Sequence, residues 1–251
     1  MTERVRVDPA DLQRADGVAV VGERAHHLLR VSRVREGDVV LAFDGTGFER
    51  AGRVARAGRD DLVLGWEGDP RQGVVGDAAR VRWIQAIPKG DKMDGIVRQA
   101  VELGVMAIVP VFSERSVPRE VAARGPARVV RWQRIAEEAC RQCGRADVPT
   151  VEAPRALEDV LAERSDEHRL FAWERATTPL PAAIASMSPA AGFAVLAGPE
   201  GGFGDAEAED VVAAGFVAVS VGPRILRAET AAPAILAMIS VLRGDLAMSA
   251  R

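Results

Sequence analysis

Two loops built on glycine and proline near the end of this 251-residue chain constrain its fold more than any other feature. Gly198-Pro199-Glu200-Gly201-Gly202-Phe203-Gly204 follows an apolar run over residues 193–197, and Gly222-Pro223-Arg224-Ile225-Leu226-Arg227-Ala228-Glu229-Thr230 follows a second run over residues 216–221. Each loop opens where a strand finishes and leads into a helix. Two such units predict an open α/β sheet, in which ligands bind in the crevice at the carboxyl ends of the strands. The glycines admit close backbone approach, and Pro199 and Pro223 stiffen the turns.

Charge narrows the ligand. From Glu200 to Asp210 the first loop and its helix carry Glu200, Asp205, Glu207, Glu209 and Asp210 with no basic residue. A phosphate cradle wants bare amides with a Lys or Arg, and neither GxxxxGK[ST] nor GxGxxG occurs here. A phosphate-free ligand with a cationic centre, such as the sulfonium of S-adenosyl-L-methionine, meets no such objection.

Further motifs lie upstream: Pro88-Lys89-Gly90-Asp91-Lys92-Met93-Asp94, Glu102-Leu103-Gly104-Val105, Ser113-Glu114-Arg115-Ser116 and residues 131–140, with weaker matches at His26-His27, Arg30-Val31 and Phe43-Asp44-Gly45. In this order, and together with the two loops, they resemble the RsmE family, the ribosomal RNA uracil-N3 methyltransferases of the SPOUT superfamily. The resemblance spans nearly the whole chain. It implies a SPOUT-type trefoil-knotted α/β methyltransferase domain over residues 76–251, preceded by a small PUA-like β-barrel RNA-binding domain over residues 1–75. It further implies S-adenosyl-L-methionine as cofactor, 16S rRNA in the small ribosomal subunit as substrate, and a homodimer.

The residues agree with that division. Before residue 75, strand-like stretches at 18–21, 38–43, 49–55 and 61–66 alternate with Gly- and Asp-bearing turns, as in a small barrel, and a helical turn is expected over 26–31. Residues 69–73 read as a linker. From Val81 onward strands and helices alternate, with strands expected at 81–87, 107–111 and 169–173 and helices at 92–103, 127–143 and 229–243. The last of these is nearly all apolar, as a core or interface helix is.

The resemblance places candidate roles on particular residues. Arg227 would hold O2 or O4 of an extruded uracil and favour its deprotonated ring, with Glu229 or Thr230 relaying the proton. Capping of the last helix accounts equally for Glu229 and Thr230. Backbone around Leu196, Gly198, Gly201, Gly202, Val221, Gly222, Ile225 and Leu226, with Glu200 shaping the first loop, would enclose the cofactor.

Charge distribution bears on the partner. Residues 1–77 hold 12 basic and 14 acidic side chains, residues 78–151 hold 13 and 8, and residues 152–251 hold 8 and 14. The middle therefore carries +5 between segments of −2 and −6. Its arginines, Arg115, Arg119, Arg124, Arg128, Arg131, Arg134, Arg141 and Arg145, form a patch suited to a phosphate backbone. A solvated helix face with Glu137 and Glu138 as partners accounts for the same run. The chain has 31 arginines but two lysines, Lys89 and Lys92, three residues apart. Lys89, Lys92, Arg30, Arg115, Arg131 and Arg134 are the candidate RNA-binding residues.

Cys140 and Cys143 form a lone CxxC, too few ligands for a metal site, and are expected to be ordinary helix residues. No apolar run approaches the roughly 20 residues that span a bilayer. The opening residues lack a signal-peptide stretch, so a cytoplasmic location is expected. A non-catalytic RNA-binding assembly factor, or a SPOUT enzyme with another RNA target, remains the alternative.

Overall fold

The computed structural model describes residues 2–76, 79–116 and 125–243. These divide into two compact units, one comprising residues up to 75 together with Glu137–Val148, the other the remainder.

The first unit is built on a five-stranded sheet. Its strands are β1 (Glu3–Arg6), β2 (Val18–Val21), β3 (Val39–Phe43), β4 (Phe48–Ala57) and β5 (Asp61–Gln72), in the order β1-β3-β4-β5-β2. All neighbours pair antiparallel except β1 and β3. Period-2 alternation decides the faces: in β2, Val18 and Val20 are buried while Ala19 and Val21 are exposed. The buried set packs with Leu12 of α1 (Pro9–Leu12), Ala25 of α2 (Gly22–His26) and Leu28 of the π-helical turn His27–Val31. That turn follows α2 without a break, so the helical turn expected at 26–31 is the second half of a longer element.

Residues 69–72, expected as linker, are instead the end of β5. Arg71 and Gln72 pair with Glu49 and Phe48, and Arg71 Nη2 bonds Glu49 Oε1 at 2.9 Å. Pro70, which has no N–H to donate, falls in the register shift between Glu49 and Ala51. The 137–148 segment is bound by its backbone: Gly47 N–H donates to Ala146 O at 3.2 Å and Val148 N–H to Gly45 O at 2.9 Å. Arg4 donates to Glu49 Oε2 and to Arg145 O, while the buried Arg145 pairs with Asp147.

The second unit contains a seven-stranded sheet in which every neighbouring pair is parallel. In chain order it runs β6 (Val81–Ala86), α3 (Lys92–Glu102), β7 (Ala107–Phe112), α4 (Gly125–Cys143, counted with the first unit from Glu137), β8 (Thr150–Val151), β9 (Arg155–Ala156) and α5 (Leu157–Leu161). It continues through β10 (His168–Ala172), α6 (Leu180–Ala185), β11 (Phe193–Ala197), α7 (Asp205–Ala213), β12 (Val217–Val219) and α8 (Ala228–Arg243). The order is β12-β10-β11-β6-β7-β8, with β9 also on β7.

The chain builds outward from β6 to β8, returns beyond β6 to lay down β10, and then inserts β11 between β10 and β6. The order reverses there, at the switch point where open α/β sheets bind ligands. Central β11 is buried at all five positions, as a strand covered on both faces is. Strand β12 is shorter than the 216–221 expected, because as an edge strand it pairs only with β10. Beyond Val219 the chain leaves the sheet, makes one isolated bridge from Ser220 to Pro179 at the start of α6, and enters the second loop. Helix α8 buries Ala232, Ile235, Leu236 and Ile239 and packs on α3, while Val241 and Leu242 stay exposed. Among the described residues no helix is long and apolar enough to cross a membrane.

Candidate functional site

Three adjacent strands, β10, β11 and β12, end side by side, and the loops leaving them enclose a cavity of about 500 Å³. Its wall takes Ala172, Trp173 and Glu174 from the end of β10, residues 197–203 from the first loop, residues 219–228 from the second, Ala231 from α8 and Lys92 from α3. The volume is that of a small-molecule site, about 300–1,000 Å³.

The first loop is shaped by its glycines. Gly202 N–H donates to Pro199 O at 3.0 Å, closing a four-residue turn, and Gly202 has φ +65°, which disfavours any residue with a Cβ. At Gly198 a Cβ would lie 2.9 Å from the ring of Phe203, which is buried edge-on to Phe171 at 5.0 Å between centroids. The loop is therefore folded back onto the core.

Beneath it lies Gln85, fully buried in β6. Its Nε2 donates to Gly198 O at 3.1 Å and to Ala86 O at 3.0 Å, and its Oε1 accepts the indole N–H of Trp83 at 3.0 Å. This amide anchors the first loop to the neighbouring strand. It is the one polar residue in the run Trp83-Ile84-Gln85-Ala86-Ile87, and that isolation within an apolar strand is its sequence signal. The walls at Trp173 and Glu174 were missed, although a strand was expected to end there.

Of the residues assigned to the cofactor, Gly198, Glu200, Gly201, Gly202, Val221, Gly222, Ile225 and Leu226 all line the cavity. Leu196 does not line it, being fully buried inside β11. Ile225 is 82% exposed, the most exposed large apolar side chain among the described residues. Arg227 lines the cavity, and its exposed guanidinium has no hydrogen bond or ion pair among the described residues. Glu229 and Thr230 stand just behind it in the first turn of α8. Thr230 N–H closes that turn by donating to Arg227 O at 2.8 Å.

Lys92 reaches into this wall, with Nζ 2.8 Å from Glu200 Oε1 and 3.6 Å from Glu229 Oε2. Burial opposes ionisation of Glu200, but the Lys92 bond and the N–H groups of Glu200 and Lys89 outweigh it and hold the carboxyl below its usual range. Asp91 stands at the N-cap of α3, yet its side chain makes no capping bond.

The other candidate RNA-binding residues are placed as follows. Lys89 is exposed and contributes only its backbone N–H to Glu200. Arg115 donates to Gly201 O at 3.0 Å, attaching the 113–116 loop to the first loop. Arg131 is engaged by Asp94, with Nε 3.0 Å from Oδ2, and Arg134 is exposed on the same helix. In the first unit, exposed Arg30 donates to Arg59 O at 3.3 Å. Arg119 and Arg124 lie outside the described residues. Arg141 pairs with Glu138 and Arg6 with Glu137, so both glutamates have basic partners. Cys140 and Cys143 lie on α4 and are not joined in a disulfide, and burial pushes the Cys140 thiol up to about 12.

Comparison with known proteins agrees with this geometry. A family profile described as an RNA methyltransferase domain matches residues 77–240, and one described as an RNA methyltransferase PUA domain matches residues 22–65. The chain is 30% identical to ribosomal RNA small subunit methyltransferase E of Bacillus subtilis, covering 96% of this chain and 98% of that one. It is 33% identical to the Synechocystis protein of the same name, covering 96% and 78%. Among solved structures, ribosomal RNA small subunit methyltransferase E from Neisseria gonorrhoeae bound to S-adenosyl methionine superposes with a TM-score of 0.82 at 29% identity over 96% of this chain and 98% of that one. A putative methyltransferase from Legionella pneumophila, also in complex with this cofactor, gives 0.83 at 27% identity over the same shares.

Proposed function

We propose that this chain, which belongs to the ribosomal RNA small subunit methyltransferase E family, transfers a methyl group from S-adenosyl-L-methionine to N3 of a uridine in 16S rRNA. The observation that carries the reading is the convergence of both glycine–proline loops on one cavity at the sheet's switch point. The residues present fit the cofactor. The cavity has the right size class, most of its lining comes from the two loops, and it sets the carboxylates Glu174 and Glu200 beside the basic Lys92, Arg224 and Arg227, a mixed lining that suits a guest carrying charges of both signs. Gly198, Gly201, Gly202, Val221, Gly222 and Leu226 would hold it, and when bound it supplies an electrophilic methyl on a sulfur that departs as a neutral thioether.

The chain's own residues do the rest. Uracil N3 must lose its proton to become a nucleophile, so the developing negative charge on O2 or O4 needs a partner. Arg227, at the cavity wall with its guanidinium uncommitted, is placed to supply it. The N3 proton would pass to the Glu229 carboxylate, directly or through the Thr230 hydroxyl, leaving N3 able to accept the methyl. Alignment of N3 with the methyl by the two loops accounts for much of the acceleration. Lys89, Arg115, Arg131 and Arg134, with Arg30 in the first unit, are the residues we assign to the RNA backbone. The same reading includes a trefoil-knotted second unit, a PUA-like first domain, a homodimer and action in the cytoplasm.

The test is mass-spectrometric mapping of methylated nucleotides in 16S rRNA from cells with and without this protein. Loss of one N3-methyluridine on deletion, restored by the gene, is the expected result. An unchanged methylation map refutes the proposal. Calorimetry with S-adenosyl-L-methionine separates an enzyme from a non-catalytic assembly factor, which would not bind it.

A further inference from the structure

The two lysines of this chain have different surroundings. Lys89 projects from an exposed position, whereas the Lys92 ammonium stands in the cavity wall between carboxylates from two distant segments. Glu200 uses both oxygens: Oε1 meets Lys92 at 2.8 Å and Oε2 accepts the Lys89 backbone N–H at 3.2 Å. Glu229 Oε2 is shielded from solvent and has no hydrogen-bond partner among the described residues, and Lys92 at 3.6 Å is its compensating charge. One side chain thus touches the first loop through Glu200 and the start of α8, just past the second loop, through Glu229.

We infer that Lys92 is a positioning residue that, by gripping Glu200 and Glu229 together, sets the spacing of the two loops around the methyl donor. The inference rests on the cofactor reading above. Lysine suits the task because its compact, flexible point charge can be shared between carboxylates that arrive from different directions. The pair is ionised at neutral pH. The bond to Glu200, with Coulombic attraction to both carboxylates, raises Lys92 above the ordinary lysine value, and Glu200 is held below the carboxylate range.

Calorimetric titration of S-adenosyl-L-methionine into wild type, Lys92→Met, Glu200→Gln and the double variant tests the inference, with circular dichroism confirming that each is folded. Each single variant is expected to bind about tenfold more weakly, the scale of one partly exposed charged hydrogen bond. The double variant should be no weaker than the worse single, because both changes remove the same contact. In turnover assays KM for the cofactor should rise more than kcat falls. Binding of a 16S rRNA fragment to Lys92→Met should keep the wild-type salt slope. Wild-type cofactor affinity in Lys92→Met, strictly additive losses, or a salt slope reduced by about one, which would give Lys92 to a phosphate, each overturns the assignment. If Lys92→Met does not fold, an unchanged affinity in Glu200→Gln overturns it. Failure of the wild-type protein to bind the cofactor is a separate result that removes the cofactor reading and this inference together.

Discussion

Replacing Gln85 by Met tests whether a buried amide holds the first loop in place. Methionine nearly conserves length and volume, so the change deletes hydrogen bonds without opening a large cavity. It strips partners from three groups: the Trp83 indole N–H, now 3.0 Å from Gln85 Oε1, and the Gly198 and Ala86 carbonyls, now 3.1 and 3.0 Å from Nε2. A buried group left unpaired costs about 1–3 kcal/mol, which applies in full to the Trp83 N–H and less to the half-buried Gly198 carbonyl. Part of that is offset because the amide itself no longer has to be desolvated, which leaves about 2–4 kcal/mol of destabilisation. With a urea slope of about 2–3 kcal/mol/M, the unfolding midpoint read by tryptophan fluorescence should fall by roughly 1 M. The partner change Trp83→Phe orphans only Gln85 Oε1 and should cost about 1 kcal/mol for that bond, plus the smaller ring's lost packing. In its background Gln85→Met should cost less, with a coupling of about 1 kcal/mol. Affinity for S-adenosyl-L-methionine should weaken as well, since the Gly198 carbonyl loses its tether. A Gln85→Met protein as stable as wild type to within about 0.5 kcal/mol would refute the reasoning.

Three other outcomes follow from the geometry. Arg227→Ala should leave cofactor affinity nearly unchanged and lower kcat by about 10²-fold, as loss of a group that stabilises developing charge does; single-turnover kinetics beside calorimetry reads both, and unchanged turnover removes Arg227 from the mechanism. Gly198→Ala drives a Cβ to 2.9 Å from the buried Phe203 ring and should cost about 1–3 kcal/mol in thermal or urea unfolding, with weaker cofactor binding; wild-type behaviour in both would mean the loop has room that the packing does not show. Glu207 is held above the usual carboxylate range by burial, with the neighbouring Glu114 charge adding to it against the N–H bonds from Glu114 and Gly204. Because its folded value is raised, ionising Glu207 lowers stability as pH climbs through the unfolded value toward the folded one. Glu207→Gln should therefore be more stable than wild type at pH 7 and lose that advantage below about pH 4; an advantage independent of pH would refute the assignment.

The two glycine–proline loops were legible because their information is local. An apolar run, a glycine needed for φ +65° or for contact with a ring, and a helix start all lie within a dozen residues. The same holds for the ordered motifs whose resemblance the family comparisons bear out, and for the bounds of β11 and α8. Residues 69–72 were misread because Asp, Pro and Gly signal a turn unless a partner strand supplies the ladder, and β4 is ten residues long. Nor did anything in residues 137–148 announce that they pack with the first unit, because their bonds run to Arg4, Gly45 and Gly47, far away in the chain.

By itself, then, the sequence determined the α/β alternation, the family and which loops would line the cavity, since periodicity, glycine and proline act on neighbouring residues. Only the tertiary structure decided which charges pair. Lys89 and Lys92 look alike in sequence, yet Glu200, 111 residues beyond Lys89, takes the ammonium of one and only the backbone of the other. That choice depends on β11 being inserted beside β6, a consequence of sheet order that no local pattern encodes.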